Sequence, residues 1–419
     1  MKRPHGWNRV SMKIATHFKA NAVLSICIGL ILYVVNGIRI SLGSSRINDW
    51  PLTELLINYQ GGFVRRGIFG ELVFQTGNAD YYATLFQKAA LTFFLFGILS
   101  ILIWENSNAV RILFTTIVVF APGGLHDMKA GGSFPGGQWE YLDRKEIWFY
   151  CALIIFYFSV KFLSNRMVLL TTIFTVVSVL MILHHELFVF FTLILYTVLL
   201  ISKNVKFRSI ESLLAGIFYL CVVLTFYFVY TFHGNDEVSA AIWNSYMPKY
   251  SGILTYPGAI DSIGWTIAQS HELGIRIVTE GSVVFYIFFA SISILMLLIY
   301  TILKFKDKPG FYLALLLNGG VLVSCLAISY VFWDVGRLIS IYTFITLISL
   351  SVLHESLNKS HTARKLRFSR NDEFSAEFKT YLLLFFVISY LIFISFVTRV
   401  PTCCPQPNEI PLRGFFGLK

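Results

Sequence analysis

A succession of apolar runs dominates the chain, about eleven of them and most roughly 17 to 22 residues long, close to the length at which an α-helix crosses a ~30 Å hydrocarbon layer. They lie at about 21-38, 86-104, 110-122, 147-163, 168-183, 187-201, 213-231, 283-303, 311-332, 338-354 and 380-398. In lipid a segment has to pair its own backbone N-H and C=O groups, so such runs fold as helices, and the expected class is an all-α, polytopic integral membrane protein. Composition agrees, since 56% of the 419 residues are hydrophobic and only 14% are charged, far more apolar surface than a soluble core uses. The run at 110-122 is short enough to be partly re-entrant. No internal repeat is evident, and residues 1-419 read as a single transmembrane domain.

Lysine and arginine asymmetry sets the expected orientation, because short basic loops stay cytoplasmic. The N-terminal tail carries Lys2, Arg3, Arg9, Lys13 and Lys19 without an acid and is placed inside, followed by a retained first helix with no cleavage site. Counting on, inside segments hold 20 of the 34 basic residues and 7 of the 23 acids, leaving 14 and 16 outside. The net charge of +11 therefore reports topology and gives no ground for nucleic-acid binding. Residues 168-201 are read as a hairpin, since one helix of that length would reach about 50 Å and would export the later basic loops. The basic stretch 355-379 is a cytoplasmic anchor or a surface-lying segment near anionic lipid.

This topology gathers five polar clusters on the outer side: Asn48-Asp49-Trp50, Gly61 to Gly67, Asp143-Arg144-Lys145-Glu146, His184-His185-Glu186 and Asp334 to Arg337. Ionisable groups near a bilayer are costly, so their collection on one side predicts a shared site. Long outer loops run at about 39-85 and 232-282. In the first, Gly61-Gly62 breaks a helix expected from Pro51 to Ile57, and glycines around Arg65-Arg66 let two guanidinium forks and backbone N-H groups approach one anion, as suits a diphosphate. The alternative is a pair of interfacial arginines meeting lipid headgroups.

Asp143 is expected to cap the helix that follows, with Arg144 and Lys145 beside its N-terminus holding an anionic group; the alternative is an internal ion pair. His184-His185-Glu186 places two imidazoles and a carboxylate at a hairpin tip, where His185 or Glu186 can take a proton from a sugar hydroxyl and His184 can contact the sugar. It lacks the second histidine of the zinc motif, since position 188 is Phe. Arg337 either pairs with Asp334 or faces a charged cavity. The 232-282 loop mixes aromatics with acids and Arg276, a composition shared by sugar sites and by interfacial belts. Cys27, Cys151, Cys221 and Cys325 read as small core residues, and vicinal Cys403-Cys404 has no partner set for zinc, so no metal is assigned.

With loop arginines Arg65, Arg66 and Arg276, about eleven spans and long outer loops, the chain resembles the Wzy-type O-antigen polymerases of bacterial surface-polysaccharide assembly. The likeness is one of architecture over the whole topology, so it transfers no catalytic residue by position. It implies polymerisation of polyprenyl-diphosphate-linked repeat units at the periplasmic face of the bacterial inner membrane. The partners implied are the lipid-linked glycan, membrane lipid and a chain-length regulator, with no cofactor. Arg65, Arg66, Arg144 and Arg337 would then neutralise the departing diphosphate. The chain also resembles the GT-C class of membrane glycosyltransferases, which place an essential carboxylate just after the first span; Asp49 stands there, and Asp127 and Asp143 fit the next outer loop. The paired acids usual in that class are absent from the first loop, and such an enzyme would use a divalent cation between carboxylate and phosphate. A transporter or flippase of lipid-linked glycan is the third reading, and would distribute charge through the spans and onto both faces.

Overall fold

The computed structural model describes residues 49-105, 107-120, 145-203, 209-250, 257-265, 283-305, 308-329 and 335-359, with isolated positions at 269 and 272. Among these, every regular element is helical. Helices α1 (Asp49–Leu55) and α2 (Gly67–Gln75) precede α3 (Ala79–Trp104) and α4 (Asn108–Phe120); α5 (Glu146–Leu163), α6 (Met167–His184), α7 (Phe188–Ser202) and α8 (Ile210–Thr231) follow. Then come α9 (Asp236–Tyr250), a 3-10 turn at Gly258–Ile263, α10 (Val283–Lys304), α11 (Lys308–Ser329) and α12 (Val335–Lys359). Nine of the expected apolar runs are helices here; those at 21-38 and 380-398 lie outside the described residues.

Six helices among the described residues are long and apolar enough to cross a bilayer: α3, α5, α6, α8, α11 and α12, with α7 and the 290-304 part of α10 apolar but shorter. Helix α4 has 13 residues, too few to span alone at about 1.5 Å per residue. Burial ranks the spans. The apolar window of α12 is 89% buried inside the protein and that of α8 only 22%, so α12 is the axis and α8 lies at the edge. The side chains α8 leaves exposed include Leu213, Leu220, Leu224 and Tyr227, an apolar face suited to lipid.

Small hydroxylated residues explain how α12 packs so closely: Ser340, Thr343, Thr346, Ser349 and Ser351 are buried along it, and Thr343 and Ser351 donate back to carbonyls of their own helix. Side-chain pairs fix the directions. Tyr150 meets Phe344 and Lys161 meets Glu355, so α5 and α12 run parallel. Trp148 donates to Gln87 while Tyr157 lies against Trp104, so α3 runs with them. Thr171 bonds Tyr196 at 2.8 Å and Ser178 bonds Thr192 at 2.6 Å, which makes α6 and α7 an antiparallel hairpin turning at His185 to Leu187. The expected hairpin is therefore present. Its tip, the starts of α3, α5 and α12, and the end of α8 all lie at one end of the bundle.

A second, smaller apolar core sits on that end. Leu55, Leu56, Ile57 and Val64 pack with Val73, Ala83, Ile242, Tyr246, Ile260 and Ile263, joining the segments before α3 to those after α8. Polar ties run across the same joint: Thr53 accepts from the Ala259 N-H at 3.0 Å, Asn58 donates to Ser245 at 3.1 Å, and the Arg65 N-H donates to the Phe232 carbonyl at 2.9 Å. The described parts of the two long loops are thus one folded cap. Gly70 lets α2 sit on the strand of chain beneath it, where an added Cβ would meet the Ile57 carbonyl.

Candidate functional site

Where cap meets bundle, the loop before α2 delivers two arginines to the hairpin tip. Arg66 is the residue capping α2, and its φ of 66° is the only positive φ of a non-glycine residue among the described positions. Gly62, at φ 107°, turns the chain just before it. The left-handed turn at Arg66 is anchored from two sides, by the Arg65 N-H on Phe232 and by Lys145, whose Nζ donates to the Arg66 carbonyl at 2.9 Å. A non-glycine residue held in that conformation costs about 1-3 kcal/mol and persists only where its surroundings fix it, and strain of this kind gathers at functional sites.

The Arg66 side chain forks onto Glu186. Its Nε lies 3.0 Å from Oε2 and 3.2 Å from Oε1, and its Nη2 lies 2.5 Å from Oε1; Arg65 Nη1 stands 3.6 Å from the same oxygen. These residues are 120 apart in sequence. His185, fully buried, lies between two carboxylates, with Nδ1 3.5 Å from Glu186 Oε2 and Nε2 3.8 Å from Glu146 Oε1. Nδ1 also accepts from the Leu187 N-H at 3.4 Å, so the imidazole bridges tip backbone and carboxylate chemistry. His184 is buried against the edges of Phe69 and Trp148, and its Nε2 has no hydrogen-bond partner among the described residues.

Electrostatics divide this cluster. Burial alone would raise the Glu186 carboxyl, yet Arg66, then His185 and Arg65, hold it well below the usual carboxylate range. It stays ionised. Lys145 goes the other way: burial pushes its ammonium down to about 7, against the attraction of Glu54 and with further lowering from Arg66. Glu54, buried on α1, supplies the charge that keeps Lys145 from falling further.

The expected site residues therefore separate into three groups. Arg65, Arg66, His184, His185 and Glu186 converge, although Arg66 and Glu186, expected in separate roles, face each other. Asp49 opens α1 within the cap, and Arg337 lies in the first turn of α12 at the same end of the bundle; their side chains are not described. Asp127, Asp143, Arg144 and Arg276 lie outside the described residues. The helix expected to be capped by Asp143 begins at Glu146, with Lys145 in the capping position and its side chain turned inward to Arg66. Glu54 was not singled out by the sequence. A lone carboxylate among Leu52, Leu55, Leu56 and Ile57 is the signal that marks it.

A second charged cluster closes the opposite end of the bundle. Lys304 pairs with Glu105 at 2.7 Å and Lys161 with Glu355 at 3.3 Å, lining a cleft of about 170 Å3 with Trp104, His354 and Asn358. Among the described residues no three His, Cys, Asp or Glu side chains gather as a metal site. No family model, no curated protein and no solved structure matches this chain.

Proposed function

We propose that this protein is a membrane glycosyltransferase acting on a polyprenyl-diphosphate-linked sugar donor, and within that class a polymerase of lipid-linked repeat units into O-antigen or a similar surface polysaccharide. One observation carries the reading: Arg65 and Arg66, on a backbone-anchored loop, meet the His185-Glu186 tip under a folded cap at one end of an apolar bundle. Paired guanidinium forks suit a diphosphate leaving group, and a neighbouring imidazole and carboxylate suit a hydroxyl that must lose its proton. In the reaction, a hydroxyl of the incoming unit attacks the anomeric carbon of the donor sugar. The bond from that carbon to the diphosphate oxygen breaks, the electron pair leaves with the diphosphate toward Arg65 and Arg66, and the hydroxyl proton passes to Glu186 or His185.

On this reading the chain crosses the inner membrane about eleven times with its N-terminus cytoplasmic; the collection of Lys161, Arg166, Lys203 and Lys304 at the other end supports the capped end facing the periplasm. Asp49 at the start of α1, inside the cap, favours the GT-C-like variant of the same chemistry. The ion pairs at the opposite end favour a flippase of lipid-linked glycan, which would need charged closures at both ends. Deleting the gene and analysing the surface glycan separates these readings. Lipid A-core bearing a single repeat is the expected result. A shortened repeat would point to a single-sugar transferase, complete repeats trapped on the cytoplasmic side to a flippase, and an unchanged polymer would contradict all three.

A further inference from the structure

We propose that Glu186 is an internal stand-in for the anion, a carboxylate that holds Arg65 and Arg66 in readiness and is displaced from Arg66 when a diphosphate binds. The inference rests on the reading of the arginine pair as an anion site. The Nε and Nη2 edge of Arg66 is engaged by one carboxylate, with the two nitrogens on its two oxygens, in the bidentate geometry that also fits a phosphate. The two partners differ in how firmly they are held. The arginines ride on a turn fixed by Lys145 and Phe232, whereas Glu186 sits on a short tip between two helices.

Donor capacity exceeds what the carboxylate uses. Two guanidinium groups offer about ten N-H donors, and Arg65 Nε is buried without a hydrogen-bond partner among the described residues. A diphosphate brings more acceptor oxygens than a carboxylate, so exchange satisfies donors that Glu186 cannot reach. Displacement also changes what Glu186 can do. While forked to Arg66 it is a poor base, because the guanidinium stabilises its charge; once the phosphate takes over the fork, it keeps the looser contacts to Arg65 Nη1 at 3.6 Å and His185 Nδ1 at 3.5 Å and is the stronger base. It then accepts the proton of the attacking hydroxyl as the new glycosidic bond forms and the diphosphate departs with its electron pair. Binding of the donor thereby arms the base, and an empty site stays inert toward water.

The test uses the full-length protein in nanodiscs, with inorganic pyrophosphate and farnesyl diphosphate as probes. Glu186→Gln removes the competing charge and retains the shape, and should bind both probes at least 10-fold more tightly than the parent protein. Farnesyl diphosphate binding well ahead of pyrophosphate identifies a lipid-linked ligand, and equal binding a free one. Equal or weaker binding by Glu186→Gln, with the parent binding normally, overturns the stand-in while leaving the anion site in place. Binding by neither protein overturns the anion site itself. Hydrogen exchange on the unmodified protein gives a check that needs no variant: pyrophosphate should increase exchange at the backbone amides of residues 185-189, and added protection there would contradict displacement.

Discussion

At the scale of single residues, the capped end contains two groups whose ionisation is shifted in opposite senses, and each gives stability a distinct pH dependence. Lys145 has a folded-state value of about 7 against an ordinary 10.5. Between those values the unfolded chain binds the proton and the folded one does not, so stability rises with pH across that window, by up to about 1.4 kcal/mol per unit, and is flat below it. Glu186, held low by the arginines, contributes stability that is complete above the ordinary carboxylate range and is lost as the pH falls through its depressed value. Thermal unfolding of the purified protein between pH 7 and 9.5 should show a positive slope that Lys145→Met flattens. An identical slope in the variant would place the titrating group elsewhere. The sequence marked Arg65, Arg66, His185 and Glu186 because charges stood beside apolar runs. It could not show that Arg66 and Glu186 face one another, since a contact 120 residues apart is set by tertiary packing.

At the scale of elements, the site depends on α2 being seated over the chain at Ile57 and on the break between α6 and α7. The length of the apolar runs located both hairpin helices, and a single helix too long for the bilayer, which would also export the later basic loops, placed the break at the His-His-Glu tip. The cap was less legible. Its core residues Leu55, Ile57, Val64 and Ile260 come from short segments on either side of several spans, and no local pattern tells two outer loops that they share a core. Gly70 is the sensitive point of this seat, since a methyl there meets backbone and cannot be accommodated by a rotamer change. Gly70→Ala should shift α2 and carry Arg66 with it; a displacement of about 1 Å can cost on the order of 100-fold in rate. Glycan synthesis in cells expressing that variant should fall at least 10-fold while the amount of membrane-inserted protein stays normal. Parental activity in the variant would show that the seat of α2 does not position the arginines.

At the scale of the whole molecule, the all-helical class and the succession of membrane-length helices were readable because the bilayer leaves a chain few alternatives. The arrangement of those helices was not, and it is α12, with its buried row of Ser and Thr, that organises them. The element directions put 60, 186 and 235 at one end and 107, 165 and 203 at the other. Single cysteines at 60 and 235, both exposed, should react with a membrane-impermeant thiol reagent in intact cells, and cysteines at 107 and 165 only after permeabilisation. Labelling of 60 and 107 from the same side would break the topology on which the proposed external site depends.

The claim that joins these scales is that Arg66 and Glu186 form the chemical centre of a glycosyl-transferring enzyme. Its most direct test is complementation of a deletion strain with Arg66→Ala and with Glu186→Ala, reading the surface polymer alongside the amount of protein in the membrane. The account predicts that each variant inserts normally and makes no polymer. Full-length polymer from both variants would contradict it.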